Sequence, residues 1–188
     1  MRLILASTSP RRAQILRDAD IAFDVAAPHV DESYRAGESA VVRVTRLAEE
    51  KARAAAQGIS APALVAGFDT EVVLGETIFG KPASPEDARA MLRALAGRTH
   101  EVITGVAVIV AAGARLEHEV TRVTFAPLSD SEIDAYVASG EPLDKAGAYA
   151  VQGRGGRFVT RIEGCYFNVV GLPLARFCRL LREVGLEL

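Results

Sequence analysis

The sequence predicts an α/β domain built on a mixed β-sheet. Short apolar runs with strand character alternate with segments of helical periodicity, the pattern of a sheet covered by helices. Two strand-like runs, 101–111 and 117–126, meet at the Ala112-Gly113 turn, so an antiparallel pair joins strands otherwise connected through helices. No internal repeat, linker or low-complexity segment breaks the 188 residues, and a single domain over 1–188, with two lobes at most, is expected.

Each element has a local signature. Leu3-Ile4-Leu5 is a short buried strand. Ser9-Pro10 supplies a cap and a first helical residue, and Ile15 and Leu16 mark the buried face of the helix that follows. A second strand falls near Phe23–Val25, ahead of the acidic turn Val30-Asp31-Glu32. Ser39 caps a longer helix that carries Val44, Leu47, Ala48 and Lys51 on one face and ends at Gly58. Leu64-Val65-Ala66 is a strand with Asp69-Thr70 just past its end, and Gly75-Glu76 turns a hairpin between Val72–Leu74 and Ile78-Phe79. Ser84-Pro85-Glu86-Asp87 opens a helix in a capping-box-like pattern, and Gly97 stops it. Ser129 and Glu132 form a capping box for a helix that ends at Gly140. The glycine-rich stretch Gly147–Gly156 leads to a further hairpin, and Pro173 opens a last helix with Leu174, Phe177, Leu180, Leu181 and Val184 inside.

Composition excludes several classes. With 49% hydrophobic and 24% charged residues the chain is globular, and a net charge of −2 offers no general attraction to a nucleic-acid polymer or an acidic membrane. The run Val102–Ala112 is broken by Thr104 and Gly105, and the apolar start Leu3–Ala6 is too short for a leader or a membrane span. Cys165 and Cys178 are neither a close pair nor near a histidine, so buried, reduced thiols in a cytoplasmic protein are expected.

The strand–turn–helix over residues 3–17 is the first candidate site. A helix N-terminus presents unpaired N–H groups that suit phosphate. Here Ser7, Thr8 and Ser9 add hydroxyls, and Arg11 and Arg12 occupy the first turn, where cations oppose the helix dipole unless an anion faces them. The alternative is a serine cap beside two solvated arginines. Gly75–Lys81 fits GxxxxGK, but Pro82 stands where a phosphate-binding loop needs Ser or Thr and the segment is a hairpin, so the motif is rejected; Lys81 remains a point charge for phosphate. Asp69 is placed to bind a metal or take a proton from water, with Glu32 and Glu71 as further carboxylates, each of which has a solvated-loop alternative. Arg46–Glu50 resembles part of a Nudix pattern, but the upstream spacing fails and it is a helical charge run. His29, His100 and His118 share no metal-ligand spacing, and no HExxH, GxSxG or GxGxxG is present.

Taken in order, these pieces resemble the Maf family of nucleotide pyrophosphatases. The matching residues are Ala6-Ser7-x-Ser9-Pro10-Arg11-Arg12, Val30-Asp31-Glu32, Glu50-Lys51-Ala52, Gly67-x-Asp69-Thr70 and Gly80-Lys81-Pro82. Pro142–Tyr149, Gln152-Gly153 and Val169–Pro173 complete the series. The resemblance implies an inosine-triphosphatase-like fold, an elongated, twisted mixed sheet flanked by helices, in two lobes about a central cleft. It implies cleavage of nucleoside triphosphates between the α and β phosphates, to the monophosphate and pyrophosphate. Asp69 would be the catalytic base, with Glu32 and Asp69 on a divalent cation (Mg2+ or Mn2+). Ser7, Arg11, Arg12, Lys51, Thr70, Lys81 and Gln152 would bind substrate. Arg11, Thr70 and Gln152 match the branch that acts on dTTP and UTP; the 7-methyl-GTP branch tends to Trp, Gln and Glu instead. Such an inventory suits a triphosphate, whose charge must be offset by cations in the transition state.

Two residues depart from the family pattern. Phe68 replaces a small residue and would reshape the pocket floor, and Glu71 replaces an apolar one, either on a solvated face or beside Asp69 at the metal. The resemblance also implies a homodimer. A nucleotide-binding regulator of septum formation without turnover, and a nonspecific phosphatase, are the competing functions.

Overall fold

The computed structural model describes residues 2–59 and 63–187. Among these, seven strands form one sheet in the order β2-β1-β3-β5-β6-β7, with β4 paired to β3. The strands are β1 (Arg2–Ala6), β2 (Asp24–Val25), β3 (Ala63–Leu74), β4 (Thr77–Phe79), β5 (Thr99–Val110), β6 (Gly113–Phe125) and β7 (Val159–Glu163). β1 runs parallel to β2 and β3, whereas β4 on β3 and β7 on β6 are antiparallel, so the sheet is mixed as expected. The helices are α1 (Pro10–Asp18), α2 (Ala40–Ala56), α3 (Pro85–Leu95), α4 (Asp130–Val137), α5 (Tyr166–Val170) and α6 (Leu174–Glu183). No described helix is long and apolar enough to cross a membrane.

The caps fall where the sequence puts them. Ser9, Ser39, Ser84 and Ser129 each accept a hydrogen bond from the backbone N–H three residues on. Ser129 and Glu132 complete a reciprocal capping box. At α3 the return bond shifts by one residue: Asp87 accepts from Ala83 N–H, at 2.9 Å. The charge run at Arg46 is structural, since its guanidinium binds Glu38 and Glu50.

Three expectations need correction. β3 does not stop before Asp69 but continues to Leu74, so Asp69 lies within a strand. The glycine-rich segment leads to one strand, β7, whose partner is the distant end of β6 (Arg122 opposite Glu163), rather than to a hairpin of its own. Cys165 and Cys178 are free but only half-buried.

Two compact units divide the chain. The first comprises Met1–Thr70, Thr104–Glu119 and Gly171–Leu188, the second Glu71–Ile103 and Val120–Val170. In the first, Ile4, Ala6 and Val65 of the sheet pack with Ala48, Ala52 and Ala55 of α2. Small residues dominate because helix and sheet approach closely. A Cβ built on Gly67 would lie 2.1 Å from the Ala48 carbonyl oxygen, and one on Gly105 would lie 2.2 Å from that of Val44.

The second unit has an aromatic core. Phe125 meets His100 and Tyr149 edge-on, and Tyr136 meets Phe158 likewise. His100 is buried, with Nε2 2.9 Å from the Tyr149 hydroxyl and Nδ1 without a hydrogen-bond partner. Burial lowers its pKa from 6.5 to about 4. A histidine whose folded pKa is depressed stabilises fully above its unfolded pKa and loses that contribution as pH falls towards the folded value. Wild type should therefore lose about 3 kcal/mol between pH 6.5 and 4 through this group. Urea titrations of wild type and His100→Gln across that window test this; identical pH slopes would refute it.

Candidate active site

Strand β1 ends at Ala6, and the chain turns over Ser7-Thr8-Ser9 into α1. Ser7 is buried, and its Oγ accepts from Ser9 N–H (3.1 Å) and from Arg12 Nη1 (3.2 Å). Arg12 does not extend into solvent. Its Nη2 donates to Thr70 Oγ1 at 3.1 Å, and its Nε donates to the Gly171 carbonyl at 2.7 Å. All three partners are neutral oxygens, so the guanidinium is oriented without its charge being cancelled. Desolvation pulls its pKa down to about 10, opposed through space by Asp69; Arg11 pushes it further down and Glu32 pulls it up. It therefore stays protonated at neutral pH, a half-buried cation suited to an anion.

Thr70 also shares a 2.9 Å hydrogen bond with Thr104 Oγ1, which is fully buried on β5. The sequence reading missed both Thr104 and the Gly171 carbonyl. A signal for Thr104 existed, because Thr104-Gly105 interrupts an otherwise apolar strand. Phe68 is fully buried against Phe177 of α6 (ring centroids 5.1 Å apart). It meets the site through Arg12, whose guanidinium carbon sits 5.8 Å from the ring centre.

Asp69, beside Thr70 on β3, makes the central ion pair. Lys51 Nζ lies 2.6 Å from Asp69 Oδ1 and 2.7 Å from Glu32 Oε1. Lys51 and Asp69 are buried, whereas the Glu32 side chain is half exposed, at 51%. One ammonium thus gathers a carboxylate from the acidic turn and one from the sheet, and the two oxygens lie within twice a hydrogen-bond length of each other. Helix α2 sets this geometry, since its glycine-permitted approach carries Lys51 to β3. Arg43 holds the acidic turn from the same helix, donating to the Glu32 and Ser33 carbonyls at 2.6 and 2.9 Å.

Glu32, half exposed, and Asp69 form a sparse donor set. Among the described residues no group of three or more His, Cys, Asp or Glu is gathered for a metal. Two carboxylates nevertheless suit Mg2+ or Mn2+ of the substrate-bridged kind, which keeps waters and phosphate oxygens as its other ligands. Glu71 is buried at 3% exposure, which rules out the solvated face.

The structure gathers Ser7, Arg12, Glu32, Lys51, Asp69 and Thr70 in the first unit, with Arg11 in the first turn of α1. Lys81 and Gln152 belong to the second unit, both exposed. Gly75 turns the β3–β4 hairpin with φ +61°, and no helix follows Lys81 directly, which bears out the rejection of a Walker-type loop.

Comparison with known proteins finds relatives along the whole chain. The dTTP/UTP pyrophosphatase of Hahella chejuensis is 48% identical over 100% of this chain and 94% of its own length. That of Myxococcus xanthus is 52% identical over 99% of this chain and 94% of its own. Among solved structures, a HAM1 protein from Coxiella burnetii matches with a TM-score of 0.50 at 19% identity, over 97% of this chain and 99% of that one, a likeness of fold alone. The Maf-like protein model matches residues 2–184, and the chain belongs to that family.

Proposed function

We propose that the protein hydrolyses pyrimidine nucleoside triphosphates, dTTP and UTP above all, to the monophosphate and pyrophosphate in the cytoplasm. The relatives of about half identity support the reaction class and the base preference. The observation that carries the reading is the pairing of Asp69 with Lys51 beside Arg12, a protonated cation that donates to three neutral oxygens. A structural salt bridge would explain Asp69 and Lys51. It would not explain a second cation oriented by hydroxyls and a carbonyl.

In this mechanism Asp69 accepts the proton of the attacking water as the new P–O bond forms and pyrophosphate departs. Lys51 holds Asp69 in place through their 2.6 Å ion pair. Ser7, Arg12 and the N-terminus of α1 bind phosphate oxygens, with Lys81 as a further point charge. Glu32 and Asp69 would hold a divalent cation, which supplies charge neutralisation on the triphosphate. Arg11, Thr70 and Gln152 select the base.

The test is phosphate release from UTP, dTTP, CTP, dATP and 7-methyl-GTP with Mg2+ or Mn2+, with and without added inorganic pyrophosphatase. Orthophosphate should appear only with the coupling enzyme, and kcat/KM should be highest for UTP and dTTP. Orthophosphate without it identifies a nonspecific phosphatase. No turnover of any triphosphate, with binding retained, identifies the regulator.

A further inference from the structure

The amide of Gln152 can offer a donor and an acceptor to the edge of a base. Both pair well only from a set distance and angle, so what Gln152 contributes to base choice depends on how its turn is held.

The turn is held from both sides by one pair of groups, the buried Tyr136 and the half-buried Glu141. Gly153 N–H donates to the Ala150 carbonyl at 3.2 Å, closing a turn with Val151 and Gln152 at its centre. Downstream, Arg154 N–H donates to Glu141 Oε2 (3.0 Å) and Gly155 N–H to Glu141 Oε1 (3.1 Å). Upstream, Ala150 N–H donates to the Tyr136 hydroxyl (3.1 Å), which itself donates to Glu141 Oε1 (2.8 Å). One carboxylate and one phenol thus bind the backbone on each flank of Gln152. The fit is close: a Cβ on Gly153 would lie 2.5 Å from Glu141 Oε2, and one on Gly155 would lie 2.6 Å from the Tyr136 hydroxyl. Burial works to raise the Glu141 pKa, but the Arg154 N–H, the Tyr136 hydroxyl, the Gly155 N–H and nearby Lys145 outweigh it and keep the carboxylate ionised.

The geometry points to Glu141, through Tyr136 and the 150–155 backbone, as the positioning residue that gives Gln152 its base selectivity. This rests on the reading of Gln152 as a base-selecting residue. Glu141 touches no substrate; it fixes the direction from which the amide of Gln152 is offered. Neither Glu141 nor Tyr136 has any other assigned part in the reaction.

Glu141→Gln tests this, because it keeps the side-chain volume but places an NH2 donor against the Arg154 or Gly155 N–H. Tyr136→Phe breaks the upstream tie by a separate route. Both should raise KM for UTP about tenfold, change kcat by less than about threefold, and reduce the UTP-over-CTP preference by a similar factor. Amide exchange at Arg154 and Gly155 should accelerate at least about tenfold in Glu141→Gln. On a Gln152→Ala background, Glu141→Gln should add nothing further to the loss of preference. Equal falls in kcat and kcat/KM for both nucleotides, or unchanged exchange, would overturn the proposal. If Gln152→Ala loses the preference but Glu141→Gln keeps it, the positioning role alone fails. If Gln152→Ala keeps the preference, the base-selecting role fails and the positioning role with it.

Discussion

Replacing Asp69 with asparagine should lower kcat for UTP by about 10²- to 10⁴-fold, the usual contribution of a positioned general base. Asparagine is nearly isosteric, so the packing of a residue only 8% exposed survives and the fold should be retained. What disappears is the proton acceptor and one of the two anions on Lys51. Removing one partner of a buried ion pair costs about 3–5 kcal/mol when it leaves a bare charge. Here Glu32 remains, 2.7 Å from the same ammonium and half exposed, so the stability loss should be smaller, about 1–2 kcal/mol. KM should change less than kcat, because Ser7 and Arg12 keep their hydrogen bonds while one of the two carboxylates proposed for the cation is lost. Steady-state kinetics and a melting curve on one preparation separate the two effects. Full activity in Asp69→Asn would remove Asp69 from the role of base, and equal loss from a destabilised, partly unfolded sample is excluded by the melting curve.

Local chemistry made much of this fold legible. Caps such as Ser9 and Ser129 need only residues within three positions, and the hairpin turns at Gly75 and Gly113 have positive φ that glycine alone adopts readily. The errors arose where partners are distant. Asp69 resembles a strand end because aspartate is disfavoured in strands, yet β3 is enclosed by neighbours on both sides in the sheet and runs twelve residues with nearly every one buried. That enclosure also hides the alternation that would have placed Glu71 inside. β7 pairs with residues some forty positions earlier, a relation no local pattern carries. At the site, the family resemblance named Ser7, Arg12, Lys51 and Asp69, which all lie in the first unit. It could not reveal that Lys51 is shared between Asp69 and Glu32, or that Arg12 is held by three neutral oxygens. Those facts depend on the depth at which α2 and α6 lie against the sheet.

That depth is testable at Gly105, where alanine should be among the most damaging single-methyl changes available to this chain. The added Cβ would sit 2.2 Å from the Val44 carbonyl oxygen, 2.4 Å from the Val44 carbonyl carbon and 2.7 Å from Thr45 N. All three are backbone atoms of α2, so no side chain can rotate away. Relief requires the helix to move out by about 1 Å, opening gaps along the contact that Ala48 and Ala52 make with the sheet. Overpacking of this kind costs about 3 kcal/mol or more, which at this chain length lowers Tm by about 10 °C. Gly58→Ala is the matched control, since a Cβ there meets nothing within 4 Å and should alter stability by less than about 0.5 kcal/mol. The functional consequence follows from the same movement. Lys51 rides on α2 and Asp69 on β3, so a 1 Å shift of the helix lengthens a 2.6 Å contact beyond hydrogen-bond range unless the lysine side chain compensates. Gly105→Ala should therefore lose activity well below its melting temperature, whereas a Tm within a degree or two of wild type would show that α2 does not lie as close to β5 as its backbone contacts require.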